Sequence, residues 1–226
     1  MKLSVVVPAY NEVEIIETLG EKLHAVLAER VPDSELVLVD DGSRDGTGEV
    51  MDALARRLDH VVVVHNAPNR GLGGALRSGF ERARGDVVTW VPGDGQYDLA
   101  QVLDGLPLLD THDAVFARRR ARTERNRNLI STVFHGMLRA LFRFDARDLC
   151  GIYLIRREVL ASMPLRSEDV FLNLEVPLRF VRSGRPYGDL VLDLLPRQAG
   201  SSKVANWRTL VRNTVEVLRF RFSRDR

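Results

Sequence analysis

The sequence predicts an α/β fold in which a mainly parallel sheet carries helices on both faces. Its first hundred residues contain four short runs rich in valine and leucine, each followed by turn or polar residues: "KLSVVVPAY", "ELVLVDDGS", "VVVVHN" and "DVVTWV". The segments between these runs carry apolar residues at helical spacing. Because buried parallel strands read as continuous apolar runs and helices connect them, this alternation indicates a sheet covered on both faces.

Three helices are expected between the first four strands. They lie in "EVEIIETLGEKLHAVLAER", "GTGEVMDALARRLDH" and "GLGGALRSGFERARG", the last ending at Gly85. The second half of the chain is less regular. It predicts a helix in "NLISTVFHGMLRALFRF", a strand running into a helix in "GIYLIRREVL", a helix in "FLNLEVPLRFVRSG", a strand in "YGDLVLDLLP" and a basic helix in "NWRTLVRNTVEVLRFRF".

The composition is that of a globular protein with a sizeable core, since 45% of the 226 residues are hydrophobic. The 33 lysines and arginines nearly balance the 31 acidic residues, but basic residues concentrate between Ala117 and Asn128 and between Arg197 and Arg226. The single cysteine, Cys150, excludes an intrachain disulfide and is typical of a reducing compartment. Because no run of 18 apolar residues occurs, we expect a cytoplasmic protein without a membrane span.

Polar side chains follow the predicted strands, at the edge of the sheet where α/β folds bind ligands. They are Tyr10, Asn11 and Glu12 after the first strand, Asp40, Asp41 and Ser43 after the second, Asn69 and Arg70 after the third, and Asp94 and Gln96 after the fourth. Paired acids at such an edge accept hydrogen bonds from a base or a ribose. The alternative is that Asp40 or Ser43 caps the next helix, which leaves one of the two aspartates purely structural.

The glycine-rich stretch "NRGLGGALRSGF" does not match the dinucleotide fingerprint, because Leu76 stands where the last glycine should be. Two interpretations remain open. In one, backbone N–H groups of this turn approach a phosphate and Arg70 adds a positive charge. In the other, the glycines serve a tight turn and close packing of the helix.

The stretch "VPGDGQYD" predicts a metal site. Asp94 and Gln96 share a face if the segment is extended, since alternate residues of a strand point the same way. Both side chains then reach one divalent cation, Mg²⁺ or Mn²⁺, whose other positions are filled by diphosphate oxygens and water. Asp98 is either a third ligand or the N-cap of the helix "LAQVLDGL", and the N-cap interpretation is favoured.

Four ordered motifs between Val5 and Asp98, "VVVPAYNE", "VLVDDGSRDGT", "NRGLGGALRSGF" and "GDVVTWVPGDGQYD", resemble the N-terminal half of the family 2 glycosyltransferases. The resemblance implies the GT-A fold, a Rossmann-like sheet, and a nucleotide-diphosphate sugar as donor. In the second half, "FARRR", "RNLIS", "DLCGIYLIRREVL" and "RQAGSSK" are similar to the polyprenyl-phosphate branch, which includes dolichol-phosphate mannose synthase.

The resemblance also implies a role for each matching residue. Pro8, Tyr10 and Glu12, with Asp40 or Asp41, hold the nucleotide, while Asp94 and Gln96 serve the metal and the diphosphate. Arg118, Arg127 and Ser131 hold the acceptor phosphate, and Arg197 and Lys203 close over the phosphates of the donor. Pro92 departs from the family pattern, which has an acid there, so one metal ligand of the family is missing from this chain.

The expected function is that of an inverting glycosyltransferase that moves a sugar from a GDP-mannose or UDP-hexose type donor to undecaprenyl or dolichyl phosphate. A phosphate acceptor is already anionic and needs no general base, whereas a hydroxyl acceptor needs one, for which Asp169 in "SEDVF" is the candidate. A non-lipid hydroxyl acceptor and an inactive nucleotide-sugar-binding protein are the alternatives. No nucleic-acid partner is expected.

Residues 1–203 are expected to form the catalytic domain, with a nucleotide-sugar half at 1–98 and an acceptor half at 99–203. A basic amphipathic helix at 204–226 follows, in which arginines alternate with apolar residues such as Leu218 and Phe222. This helix either lies on an anionic membrane surface or packs on the domain. The chain is expected to reach its lipid at the cytoplasmic face, peripherally or through a membrane partner protein.

Overall fold

A computed structural model of the chain describes residues 1–120, 136, 139–142, 149–167, 169, 171–193, 195 and 215–220. Within this part, one sheet contains the strands β1 Leu3–Ala9, β2 Glu35–Asp40, β3 Val61–His65, β4 Val87–Trp90, β5 Ala114–Arg119, β6 Leu149–Arg156 and β7 Tyr187–Leu192. The helices are α1 Ile16–Arg30, α2 Thr47–Arg57, α3 Gly71–Arg82, α4 Leu99–Leu103, α5 Arg157–Ser162 and α6 Leu172–Arg182, with a 3₁₀ helix at Leu106–Asp110. The predicted α/β fold is confirmed.

The sheet has the strand order β3-β2-β1-β4-β6-β5-β7. Strand β6 is antiparallel to both of its neighbours, and the other neighbouring pairs are parallel. The chain runs outward from β1 to β2 and β3 and returns with β4 to the other side of β1. Because such crossovers are right-handed, α1 and α2 cover one face and α3 covers the other. The carboxyl ends of β1 and β4 therefore form a topological switch point, where ligands bind in open α/β sheets.

The core is densest around β1, whose seven residues are all buried. Helix α3 packs on this strand through a glycine, since a Cβ at Gly79 would lie 2.2 Å from Val6 Cγ1. That distance is shorter than any real Cβ contact, so a side chain at this position would push α3 away from the sheet. Close helix packing is therefore one function of the glycine-rich stretch.

Strand β5 was not predicted. Only four small or apolar residues, Ala114 to Ala117, precede the arginines of this segment, which is too short a run to indicate a strand. In the structure β5 lies between β6 and β7, and its backbone is paired on both sides. Sheet pairing thus decides the conformation of a segment whose own pattern is too short to reveal a strand.

The C-terminal helix packs on the domain where the structure describes it. Val217 and Phe220, in the helical stretch 215–220, are buried with Phe171 and Leu178 in a second small apolar cluster. Leu218 remains exposed on the other side of this stretch. No helix within the described residues is long and apolar enough to cross a membrane.

Candidate functional site

The carboxyl end of β1 holds two neighbouring loops in place. The Ala9 carbonyl accepts a hydrogen bond from Asp41 N at 2.9 Å, and the Pro8 carbonyl accepts one from Gly93 N at 3.2 Å. The loop after β2 and the loop after β4 are therefore fixed on opposite sides of β1. This arrangement brings two predicted site residues, Asp41 and Asp94, to the switch point of the sheet. Pro8 itself is buried within β1.

Asp41 is almost completely buried, with 3% of its surface exposed. Its Oδ1 atom accepts hydrogen bonds from Asn66 Nδ2 and from Arg70 N, both at 2.9 Å. Among the described residues, no hydrogen bond uses the second carboxylate oxygen, Oδ2. Because a carboxylate oxygen is a strong acceptor, Oδ2 keeps the capacity to accept a further hydrogen bond.

Asp40 has both carboxylate oxygens engaged within the protein. Oδ1 accepts a hydrogen bond from Ser43 N at 2.9 Å, and Oδ2 lies 3.2 Å from His65 Nδ1. The sequence left open which of the two aspartates is structural. These contacts assign the structural role to Asp40 and leave Asp41 as the better candidate for nucleotide binding.

Neither Asp40 nor Ser43 caps helix α2, so the alternative that one of them is a helix cap is excluded. The N-cap residue is Gly46, in a left-handed conformation with φ +97° and without a side-chain cap. That conformation places Asp45 next to the first turn, where it accepts hydrogen bonds from the N–H and the hydroxyl of Thr47. Desolvation alone would raise the pKa of Asp45, but these hydrogen bonds outweigh it and lower the pKa below its usual value.

The loop after β1 is tied to the loop after β2 by hydrogen bonds. Asn11 N donates to Ser43 Oγ at 3.0 Å, and Glu12 N donates to Thr47 Oγ1 at 2.9 Å. Asn11 has a positive φ of 53°, a conformation that asparagine tolerates better than most residues. Tyr10 and Glu12 flank this residue, so the bonds to Ser43 and Thr47 together hold the loop that carries both predicted nucleotide contacts.

The segment after β4 is a turn and not an extended strand end. Gln96 N donates to Asp94 Oδ1 at 3.1 Å, and Gly95 between them has φ +69°. The premise that Asp94 and Gln96 alternate along a strand is therefore wrong, because an aspartate followed by glycine closes its own turn. The two side chains nevertheless belong to one short loop beside β1. Asp98 Oδ1 accepts a hydrogen bond from Ala100 N, which confirms Asp98 as the N-cap of α4.

The residues present fit a cation that is held jointly with a ligand. Within the described residues, no group of three or more His, Cys, Asp or Glu side chains is placed to bind a metal ion. Asp94 and Gln96 offer one carboxylate and one amide oxygen. Mg²⁺ and similar cations are commonly bound by one or two carboxylates together with phosphate oxygens and water, so a diphosphate would complete this site.

A segment of the second half lies beside the Asp94 turn. Leu195 N donates to the Gln96 carbonyl at 3.0 Å. This hydrogen bond joins the chain just after β7 to the loop that carries Asp94 and Gln96. Of the predicted phosphate ligands, Arg127, Ser131, Arg197 and Lys203 lie outside the described residues.

Three other predicted residues have partners within the protein. Arg118, at the carboxyl end of β5, donates from Nε to Asp189 Oδ1 at 2.7 Å, and its side chain is 21% exposed. Arg70 Nη1 donates to Ser78 Oγ at 3.0 Å, which turns the guanidinium back along α3. Asp169 precedes α6, and its carbonyl accepts the N–H of Leu172 at 2.9 Å.

The sequence did not predict His65 at this edge of the sheet, nor the contacts of Asp189 with Arg118 and of Leu195 with Gln96. A histidine directly after four valines, where a buried strand ends, was a signal for His65. Nothing in the sequence pairs Asp189 with Arg118 or Leu195 with Gln96, because these contacts join residues more than 70 positions apart.

The sequence model described as "Glycosyl transferase family 2" matches residues 4–162 of the chain. The chain belongs to glycosyl transferase family 2. It is a glycosyltransferase, as the motifs predicted. It is 29% identical over 219 residues to the undecaprenyl-phosphate mannosyltransferase of Micrococcus luteus, covering 91% of this chain and 88% of that protein. It is also 29% identical over 231 residues to the glycosyltransferase AglD of Haloferax volcanii, covering 97% of this chain but 37% of that protein.

Solved structures of glycosyltransferases share the fold of this family 2 member. The mannosyl-3-phosphoglycerate synthase of Rubrobacter xylanophilus has a TM-score of 0.71 at 20% identity and covers 97% of this chain and 74% of that chain. The glucosyl-3-phosphoglycerate synthase of Mycobacterium tuberculosis, in complex with Mn²⁺ and UDP-glucose, has a TM-score of 0.71 at 21% identity and covers 97% and 78%. The predicted GT-A fold is confirmed.

Proposed function

We propose that this transferase moves a sugar from a nucleotide-diphosphate sugar onto a polyprenyl phosphate, with inversion at the anomeric carbon. The observation that carries the proposal is the end of β1, which fixes Asp41 on one side and the Asp94 turn on the other. The similarity to the Micrococcus luteus undecaprenyl-phosphate mannosyltransferase, which covers 88% of that protein, supports the choice of acceptor.

The nucleoside is bound on the Asp41 side of β1. The Oδ2 atom of Asp41 accepts a hydrogen bond from the base or the ribose, and Tyr10 and Glu12 line the same edge. Pro8 is buried, so it acts by holding Gly93, and with it the Asp94 turn, through its carbonyl. This arrangement places the diphosphate between the two loops.

The diphosphate is bound on the Asp94 side. Asp94 and Gln96 hold a divalent cation, which when bound stabilises the negative charge that develops on the leaving diphosphate. Arg197 and Lys203 are proposed to add positive charge to the donor's phosphates, as their match to the family motif implies. A single carboxylate in place of the family's two makes cation binding depend on the donor's phosphates.

The acceptor phosphate is bound by Arg118, which lies on β5 in the other half of the sheet, together with Arg127 and Ser131. An anionic phosphate oxygen of the acceptor forms the bond to the anomeric carbon as the bond from that carbon to the diphosphate oxygen breaks. The electron pair of the broken bond leaves with the diphosphate, and the single displacement inverts the centre. No proton has to be removed, so the reaction requires no general base, and Asp169 is needed only if the acceptor is a hydroxyl group.

A donor panel tests this proposal. The purified protein is incubated with GDP-mannose or UDP-hexoses, undecaprenyl phosphate in detergent, and Mg²⁺, Mn²⁺ or EDTA, and labelled sugar in the organic phase is counted. We expect transfer from one donor, loss of transfer in EDTA, and loss in Asp94→Ala. Asp98→Ala is the matched control, because it removes a helix cap four residues away and should keep its response to the cation. Absence of transfer from every donor to polyprenyl phosphate overturns the proposal.

The enzyme is further proposed to work at the cytoplasmic face of a membrane, where its basic second half meets anionic headgroups. Co-sedimentation with vesicles that contain anionic lipid, compared with neutral vesicles, measures this directly. Equal recovery of protein with both kinds of vesicle contradicts electrostatic attachment.

A further inference from the structure

His65 lies at the end of β3 between two carboxylates. Its Nδ1 atom is 3.2 Å from Asp40 Oδ2, and its Nε2 atom is 3.0 Å from Asp52 Oδ1 on helix α2. Ionised carboxylate oxygens only accept hydrogen bonds, so each ring nitrogen needs a proton to bond its partner. Only the imidazolium form of histidine carries both protons. The geometry therefore fits a positively charged His65.

Deprotonation of this cluster, formed by His65, Asp40 and Asp52, breaks one of its two bonds. A neutral imidazole donates from a single nitrogen, and the lone pair of the other nitrogen then faces a carboxylate. The charged groups that act on His65 are Asp52 on α2 and Asp40 on β2. Desolvation lowers the pKa of His65, but hydrogen bonds and charge attraction from these two carboxylates outweigh it and raise the pKa above 6.5.

The cluster is packed tightly against the first turn of α2. A Cβ at Gly48 would lie 2.7 Å from Asp40 Oδ2 and 3.3 Å from His65 Cε1. Asp40 is 7% exposed, whereas the side chain of His65 is 45% exposed. His65 thus covers a buried carboxylate from the solvent side and can exchange its proton with water.

A continuous chain of hydrogen bonds joins the cluster to the loop after β1. Asp40 Oδ1 accepts from Ser43 N, and Ser43 Oγ accepts from Asn11 N. Asn11 Oδ1 in turn accepts from Arg44 N at 2.9 Å. Asp40 and Asn11 are thus both bonded to Ser43, one through its backbone N–H and the other through its hydroxyl, and Asn11 stands between Tyr10 and Glu12.

We propose that His65 is a positioning residue for donor binding: as an imidazolium it holds Asp40, and through Ser43 and Asn11 it orders the loop of Tyr10 and Glu12. The inference rests on the proposed function, because it assigns the nucleotide to this loop. Donor affinity is then highest while His65 is protonated and falls as the pH rises through its pKa. His65 touches neither substrate nor reacting atoms.

Nucleotide affinity as a function of pH tests the inference. UDP and GDP are titrated by calorimetry into the wild type and His65→Gln between pH 5.5 and pH 8.5. We expect the wild type to bind at least about fivefold more tightly than the variant at the acidic end and the ratio to approach one at the alkaline end. The ratio cancels the titration of the nucleotide's own phosphates. His24→Gln, which alters a histidine on α1, is the control and should keep the wild-type profile.

A second variant and a second measurement keep the test independent of folding defects in His65→Gln. Asp52→Asn removes one of the two carboxylates, so the pKa of His65 and the midpoint of the affinity profile should both shift to lower pH. NMR titration of the His65 ring in the ligand-free protein reports this pKa without any nucleotide.

The two ways of failing are distinguishable. A His65 pKa at or below 6.5, or an unchanged pH profile of nucleotide binding in His65→Gln, overturns the positioning role alone. Absence of nucleotide binding by the wild type at every pH overturns the proposed function and this inference together.

Discussion

Replacing Asp41 by asparagine separates nucleotide binding from loop structure. The side chain is the same size, and its oxygen can occupy the position of Oδ1, where it still accepts from Asn66 Nδ2 and Arg70 N. The amide nitrogen then occupies the position of Oδ2. An acceptor that faces the ligand has become a donor, while the contacts within the protein are kept as neutral hydrogen bonds.

The size of the effect follows from these contacts. Hydrogen bonds to charged groups contribute about 1.5–3 kcal/mol and neutral ones about 1 kcal/mol, so weakening two of them should cost about 1–4 kcal/mol of folding free energy. In the variant the amide N–H faces the donor group of the ligand, and this donor-to-donor contact should weaken nucleotide binding by ~2–3 kcal/mol, about 30- to 150-fold in affinity. Asp40→Asn should lose similar stability but only about fivefold in affinity, because its oxygens already bond within the protein.

Calorimetric titration with UDP and GDP measures the affinities, and urea unfolding measures the stabilities of both variants. Affinity is compared only under conditions in which each variant is folded. If Asp41→Asn binds nucleotide within threefold of the wild type, Asp41 does not contact the nucleotide. If the Asp40 and Asp41 variants lose equal affinity, the division of roles between the two aspartates is wrong.

Three further predictions concern stability. Gly79→Ala should lower the free energy of unfolding by about 1–3 kcal/mol, because its Cβ would overlap Val6. Gly136→Ala should not destabilise, because no atom of the described residues lies within 4 Å of the added Cβ, and equal urea midpoints for the two variants contradict this packing argument. Tyr153→Phe should leave the free energy of unfolding unchanged or raise it by about 1–3 kcal/mol, because the Tyr153 hydroxyl is buried without a hydrogen-bond partner among the described residues. A markedly lower thermal unfolding temperature of the variant contradicts this prediction. Asp45 has a lowered pKa, so the stability it contributes is present above its unfolded pKa of 3.8 and is lost as the pH falls through its folded pKa. Asp45→Asn should therefore be less stable at neutral pH, and its stability should fall less steeply in acid. Superimposable acid-unfolding curves of the variant and the wild type contradict this prediction.

The sequence predicted the parts of the fold that local patterns determine. The valine and leucine runs of β1, β2 and β4 correspond to buried strands, and the run of β3 corresponds to a half-buried strand at the edge of the sheet. The apolar spacing of α1 to α3 marked their extent to within a few residues, as in α3, which ends at Arg82 and not at Gly85. Strand β5 escaped prediction because its pairing with β6 and β7 comes from distant parts of the chain.

The candidate site was predicted by position but not in detail. Strand ends indicated where Asp41 and Asp94 lie, because carboxyl ends of parallel strands meet at one edge. The division of roles between Asp40 and Asp41 depends on His65, Asn66 and the N–H of Arg70, which no local pattern connects. The Asp94 turn was read as extended because a strand pattern continues smoothly into it, and only Gly95, with its positive φ, shows where the chain turns.

The acceptor is the central claim, and it is tested by comparing undecaprenyl phosphate with undecaprenol and with a water-soluble hydroxyl acceptor in the same transfer assay. Asp169→Asn is measured in parallel with the wild type. We expect transfer to the lipid phosphate alone, with the rate retained in Asp169→Asn, since an anionic phosphate oxygen needs no general base. The assignment as a polyprenyl-phosphate sugar transferase is contradicted if the wild type transfers sugar to a hydroxyl acceptor and not to the lipid phosphate, and if this transfer is lost in Asp169→Asn.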